Sequence, residues 1–133
     1  MELVGYEDDE TRSPSSFSLL VVHQCECIYK VKIINPNDYF NFMDENPKYA
    51  SQKEVMEFDL HKVRTSDLLI INFNDMYSLG SMAELAIAYE RRIPVIGLDV
   101  DKQSLHPWQN EMCSRIFSDI NEMLDYIEDF YLT

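Results

Sequence analysis

The run Leu68-Leu69-Ile70-Ile71-Asn72-Phe73 constrains this chain more than any other stretch. A strand that is apolar at both odd and even positions is buried on both faces, which happens where helices cover a parallel sheet from both sides. Pro94-Val95-Ile96-Gly97-Leu98 repeats the pattern. Further strands are read at Glu2–Gly5, Val31–Asn35 and Cys113–Phe117. Between them the spacing is helical. Ser51-x-x-Glu54 reads as a capping box opening a helix that runs to about Thr65, and Ser81 begins a second helix ending near Arg92. Asp119 caps a last helix with Ile120, Met123, Leu124 and Ile127 on one face. Residues 17–30 carry signals for strand (Val21-Val22) and for helix, and alternation with their neighbours favours helix. Tyr6 to Ser16, acidic and then Ser/Pro-rich, reads as a loop, and His106-Pro107-Trp108 as a loop or short helix.

This alternation predicts an α/β, flavodoxin-like three-layer fold. Right-handed crossovers give its five-stranded parallel sheet the order 2-1-3-4-5, in a single domain spanning residues 1–133. Such folds bind ligands beyond the carboxyl ends of the strands, here the loops after Gly5, Asn35, Phe73 and Leu98.

Charge narrows the ligand. With 24 acidic against 11 basic residues, the net charge of −13 repels phosphate polymers and anionic bilayers. Nucleic-acid and membrane partners are therefore excluded, while a small nucleotide in a locally arranged pocket is not. Cys25, Cys27 and Cys113 form an odd set without metal-ligand spacing, which predicts reduced thiols. The acidic start MELVGYEDDE lacks the features of a signal peptide, and no apolar run reaches membrane-spanning length, so the cytoplasm is expected. His23, His61 and His106 are scattered, and neither a metal nor an organic cofactor is implied.

Two carboxylates fall where carboxylates are costly. On the helix after Ser51, Met56, Leu60 and Val63 form an apolar stripe, and Asp59 lies on it. A carboxylate facing a core needs a hydrogen bond, a partner or a cavity. A charge at the edge of the stripe is the plainer reading. Glu84 is the only charge of Met82-Ala83-Glu84-Leu85-Ala86-Ile87-Ala88-Tyr89, a segment apolar nearly all round. Two readings of it stand side by side. Ser81-x-x-Glu84 matches a capping box, in which the helix dipole favours an acid by roughly 0.3–1 kcal/mol. Equally, an ionised carboxylate beside a protonatable one is what retaining glycosyl transfer requires. Gly80 permits close approach of a ligand, and free N–H groups at the helix start can hold an anion.

Asp59, the strand DLLIINF from Asp67, the segment GSMAELAIAYERRIPVIGL and its Arg92-Ile93-Pro94 turn together resemble the nucleoside 2-deoxyribosyltransferase superfamily. The resemblance extends to residues 31–35 with the Asn35-Pro36 end, and more weakly toward the C-terminus. It implies that Glu84 attacks C1′ and expels the base, with Asp59 as the assisting acid. The Ser78-Leu79-Gly80 run resembles the branch that hydrolyses 2′-deoxynucleoside 5′-monophosphates, which implies that Ser78 helps to hold the phosphate, near Gly80 and Ser81. Against the family's first strand Gly5 aligns but the usual Tyr does not; Tyr6 stands next to it, followed by Glu7, Asp8 and Asp9. Gly5 and Tyr6 are the substrate-binding residues implied there; His106, beside Trp108, is a further candidate contact, with core or surface packing as the alternative reading.

The expectation is therefore a small-molecule enzyme acting on (deoxy)nucleosides or their 5′-monophosphates. The apolar Glu84 helix and the ending Phe130-Tyr131-Leu132 point to a homodimer or higher homo-oligomer. Two rival readings remain open at this stage: a catalytically silent nucleotide-binding or regulatory module, and a TIR-like NAD glycohydrolase.

Overall fold

The computed structural model describes residues 2–6, 32–35 and 51–132. Five described strands, β1 (Glu2–Tyr6), β2 (Lys32–Ile34), β3 (Leu68–Asn72), β4 (Val95–Leu98) and β5 (Arg115–Phe117), run parallel in one sheet. Their order across the sheet is β2-β1-β3-β4-β5. The helices are α1 (Gln52–Arg64), α2 (Leu79–Glu90), α3 (Pro107–Met112) and α4 (Ile120–Tyr131). The segment read as a helix at 17–30, together with Cys25, Cys27 and His23, lies outside the described residues.

The alternation of side chains along β3 and β4 divides the core into two layers. Leu68, Ile70, Ile96 and Leu98 pack with Phe117 against Met123, Leu124 and Ile127 of α4. Leu69, Ile71 and Val95 face the other way, onto Val63 of α1 and Leu85 and Ala88 of α2. Both faces of the central strands are therefore covered by apolar side chains, which accounts for the uniform hydrophobicity of LLIINF. A Cβ at Gly97 would stand 2.8 Å from Cε2 of Phe73, so β4 has room only for a glycine under that ring.

Several boundaries differ from the sequence reading. Tyr6 is the last residue of β1, paired with Ile71, rather than the start of a loop. The fifth strand begins at Arg115, two residues later than expected, because Cys113 is the C-cap of α3. Met56 is 53% exposed and not part of the buried stripe of α1. That stripe is Val55 and Val63, eight residues apart, with Asp59 midway between them on the same line.

The end of α2 has a sharp reversal. Ile93 N–H bonds to Ala88 C=O and Arg92 N–H to Tyr89 C=O, the bonding pattern of a Schellman cap. Arg92 occupies its left-handed position, with φ 60°. This turn points the chain back into β4 at Val95.

Candidate active site

Parallel order places the starts of α1 and α2 at the carboxyl edge of the sheet, beyond β2 and β3. The two helices pack against each other on one face. Each brings one acid inward.

Glu84 is 3% exposed, between Ser81 and Leu85, which are 1% exposed each. It is not a capping residue. The N-cap of α2 is Ser78, whose Oγ accepts the Ser81 N–H at 3.4 Å, so the helix starts at Leu79. No acid occupies the first turn, and the Ser81-x-x-Glu84 capping box is not formed. Glu84 stands in the second turn, where the dipole effect has largely faded. Its burial is left without the capping explanation that its sequence position offered.

Asp59 is half-buried, and its Oδ1 is sealed from solvent without a hydrogen-bond partner. Burial disfavours the charged form and pushes its pKa from 3.8 to about 6. A carboxyl group in that range exchanges its proton near neutrality, as a general acid must.

The remaining expected residues sit along the same edge. Gly5 and Tyr6 close β1, pairing with Ile70 and Ile71 of β3. Ser78, Gly80 and Ser81 form the start of α2. Gly80 is an exposed second helical residue rather than the residue before the helix, and Ser81 Oγ is buried without a hydrogen-bond partner. His106 is exposed and caps α3, its Nδ1 accepting the Trp108 N–H at 3.1 Å. With Nδ1 an acceptor, the neutral ring carries its proton on Nε2. Trp108 is 70% exposed.

Three residues at this edge escaped the sequence reading. Asp99, 6% exposed, follows β4 directly, and its Oδ1 accepts from Gln103 Nε2 at 3.1 Å. Gln103 also donates to the Phe73 carbonyl. Gln109, 6% exposed, donates to the Met76 carbonyl at 2.7 Å. Nothing in their spacing marks these residues as structural ties, since the bonds of Gln103 to Phe73 and of Gln109 to Met76 cross to a segment distant in sequence.

A cavity of about 500 Å³ is lined by Arg92, Pro94, Glu111 and Ser114, which places it at the amino edge of the sheet, away from both carboxylates. Among the described residues no three metal-ligating side chains converge, and no helix is long and apolar enough to cross a membrane.

No protein-family model matches the chain, and no curated protein matches it at significance. Solved structures do match. A conserved protein from Enterococcus faecalis V583 superposes with a TM-score of 0.79 at 19% identity, over 97% of this chain and 98% of that one. The 2-deoxyribosyltransferase of the psychrotolerant bacterium Bacillus psychrosaccharolyticus gives 0.71 at 14% identity, over 93% and 91%. The CMP N-glycosidase of Clostridium botulinum gives 0.65 at 14% identity, over 96% and 99%. By these matches, the chain has the α/β fold shared by a 2-deoxyribosyltransferase and a CMP N-glycosidase, nearly end to end.

Proposed function

We propose that the chain is a member of the nucleoside 2-deoxyribosyltransferase superfamily. It cleaves or transfers at the N-glycosidic bond of (deoxy)nucleosides or their 5′-monophosphates, working as a single domain. The observation that carries this reading is the pair of inward acids on α1 and α2, one nearly fully buried and one with its pKa pushed to about 6. It is supported by the resemblance around Glu84 and by the shared fold.

In this mechanism a Glu84 carboxylate oxygen attacks the anomeric carbon. The C1′–N bond breaks, its electron pair leaves with the base, and Asp59 supplies the proton that neutralises the departing nitrogen. The resulting glycosyl ester is resolved by water, which gives the free sugar, or by a second base, which gives exchange. Ser78, Gly80 and Ser81 hold the 5′ end of the substrate. The first N–H groups of a helix have no intrahelical acceptor, and the dipole there favours an anion. Ser78 keeps its hydroxyl proton to donate, since its capping bond uses only oxygen as acceptor. Gly5 and Tyr6 border the sugar from β1, and His106 reaches the site with its free Nε2–H.

A homo-oligomer fits the outward side of α2. Leu79 is 86% and Tyr89 55% exposed, and Ala83 and Ala86 are also exposed on that helix. Phe130 is 67% exposed, whereas its neighbours Tyr131 and Leu132 pack partly onto the α4 layer. The free, buried Cys113 suits the reducing cytoplasm.

Chromatography of free bases after incubation with deoxynucleosides and their 5′-monophosphates tests the reaction. Base released by the wild type and not by Glu84→Ala is the expected result. Saturable nucleotide binding without any release would replace the enzyme with a binding module.

A further inference from the structure

The segment after β4 reaches back twice to the loop that leads into α2. Gln103 Nε2 donates to the carbonyl of Phe73 at the loop's beginning, and Gln109 Nε2 donates to the carbonyl of Met76 at 2.7 Å. Inside the loop, Asp75 accepts twice: Tyr77 N–H bonds to its Oδ1 at 3.0 Å and Ser78 N–H to its carbonyl at 3.3 Å. Gln109 makes the stronger case of the two. Its Oε1 accepts the His106 N–H at 2.7 Å, and its Nε2 also lies 3.1 Å from Met82 Sδ, in the first turns of α2. The amide thus touches the chain on both sides of Ser78, two residues before it and four residues after it.

Resting on the function proposed above, we infer that Gln109 is a positioning residue that fixes Ser78 and the start of α2 for the 5′ end of the substrate. At 6% exposure, water does not readily replace its bonds. The side chain never meets the substrate. It acts through Met76 and Met82, so its loss loosens the anion-holding end of the site and leaves the carboxylates of α1 and α2 in place.

Two variants separate this role from the capping of α3. Gln109→Met keeps the length of the side chain and removes all three of its hydrogen bonds. Gln109→Glu keeps an acceptor for the His106 N–H but turns a carboxylate oxygen toward the Met76 carbonyl. Both variants should raise KM for a 5′-monophosphate about tenfold, the equivalent of one buried hydrogen bond, with kcat changed less than about twofold. KM for the unphosphorylated nucleoside should move far less. Amide hydrogen exchange should quicken at residues 76–82 in both variants.

Wild-type kinetics in Gln109→Glu would overturn the inference and assign the residue to the α3 cap alone. Equal effects on both substrates would overturn it too. If the wild type releases no base from any substrate, the reaction proposed above falls, and exchange alone decides the brace: unchanged protection at 76–82 in Gln109→Met removes it.

Discussion

The Ser78 hydroxyl accepts the Ser81 N–H at 3.4 Å, and that bond moves the start of α2 to Leu79, nearly one turn earlier than Ser81 as a cap would place it. The two serines therefore have opposite energetic roles. Ser78→Ala should destabilise the fold by about 1 kcal/mol, and Ser78→Gly by only a few tenths. Ser81→Ala should cost nothing or stabilise, because a buried hydroxyl without a partner carries a desolvation penalty of roughly 1–3 kcal/mol. Urea unfolding of the three variants reads the order directly. A larger loss at Ser81 than at Ser78 would contradict it.

Asp59 makes both stability and activity depend on pH. Burial raises its pKa from 3.8 to about 6, so between those values the folded chain holds a proton that the unfolded chain releases. Its contribution to stability is fully present below 3.8 and is lost as pH rises through about 6. Measured against Asp59→Asn, wild-type stability should fall across that window and level off above it. If Asp59 protonates the departing base, kcat/KM should also fall as pH rises through about 6. Asp59→Asn should flatten that limb and lower the rate by roughly 10²–10⁴-fold, the usual worth of general acid help.

The Schellman cap of α2 offers a stability test away from the chemistry. Arg92 has φ 60°, a region that is costly for any residue with a Cβ. Arg92→Gly should stabilise the fold by about 1 kcal/mol, the relief of left-handed backbone at that position. Thermal unfolding measures it, and an unchanged or lower midpoint would refute the strain.

Much of this architecture was legible because it depends on patterns close in sequence. The doubly buried strand Leu68–Phe73 announced a parallel sheet covered on both faces, and Asp119 accepts the N–H groups of Asn121 and Glu122 as its place before an amphipathic stretch implied. The inward Asp59 was legible too, although its stripe was read through Met56 when Val55 is the buried residue. Val63 belongs to both stripes, and Asp59, four residues before it, lies only about 40° from it around the helix, so the acid faces inward in either reading. The start of α2 was misread because Ser78 and Ser81 are equally good caps by residue type; only the loop geometry around Asp75 chooses between them. The ties of Gln103 and Gln109 left no trace, since they join residues 30 and 33 positions apart.

The central claim is that Glu84 becomes covalently bound to the sugar. Incubation with a nucleoside carrying fluorine at the sugar 2′ carbon, which slows release of the glycosyl ester, followed by peptide mass spectrometry, tests it most directly. The peptide carrying Glu84 should gain the mass of the fluorinated sugar, and Glu84→Ala should gain none. Base release without an adduct on that peptide, or with an adduct on another carboxylate, would contradict it.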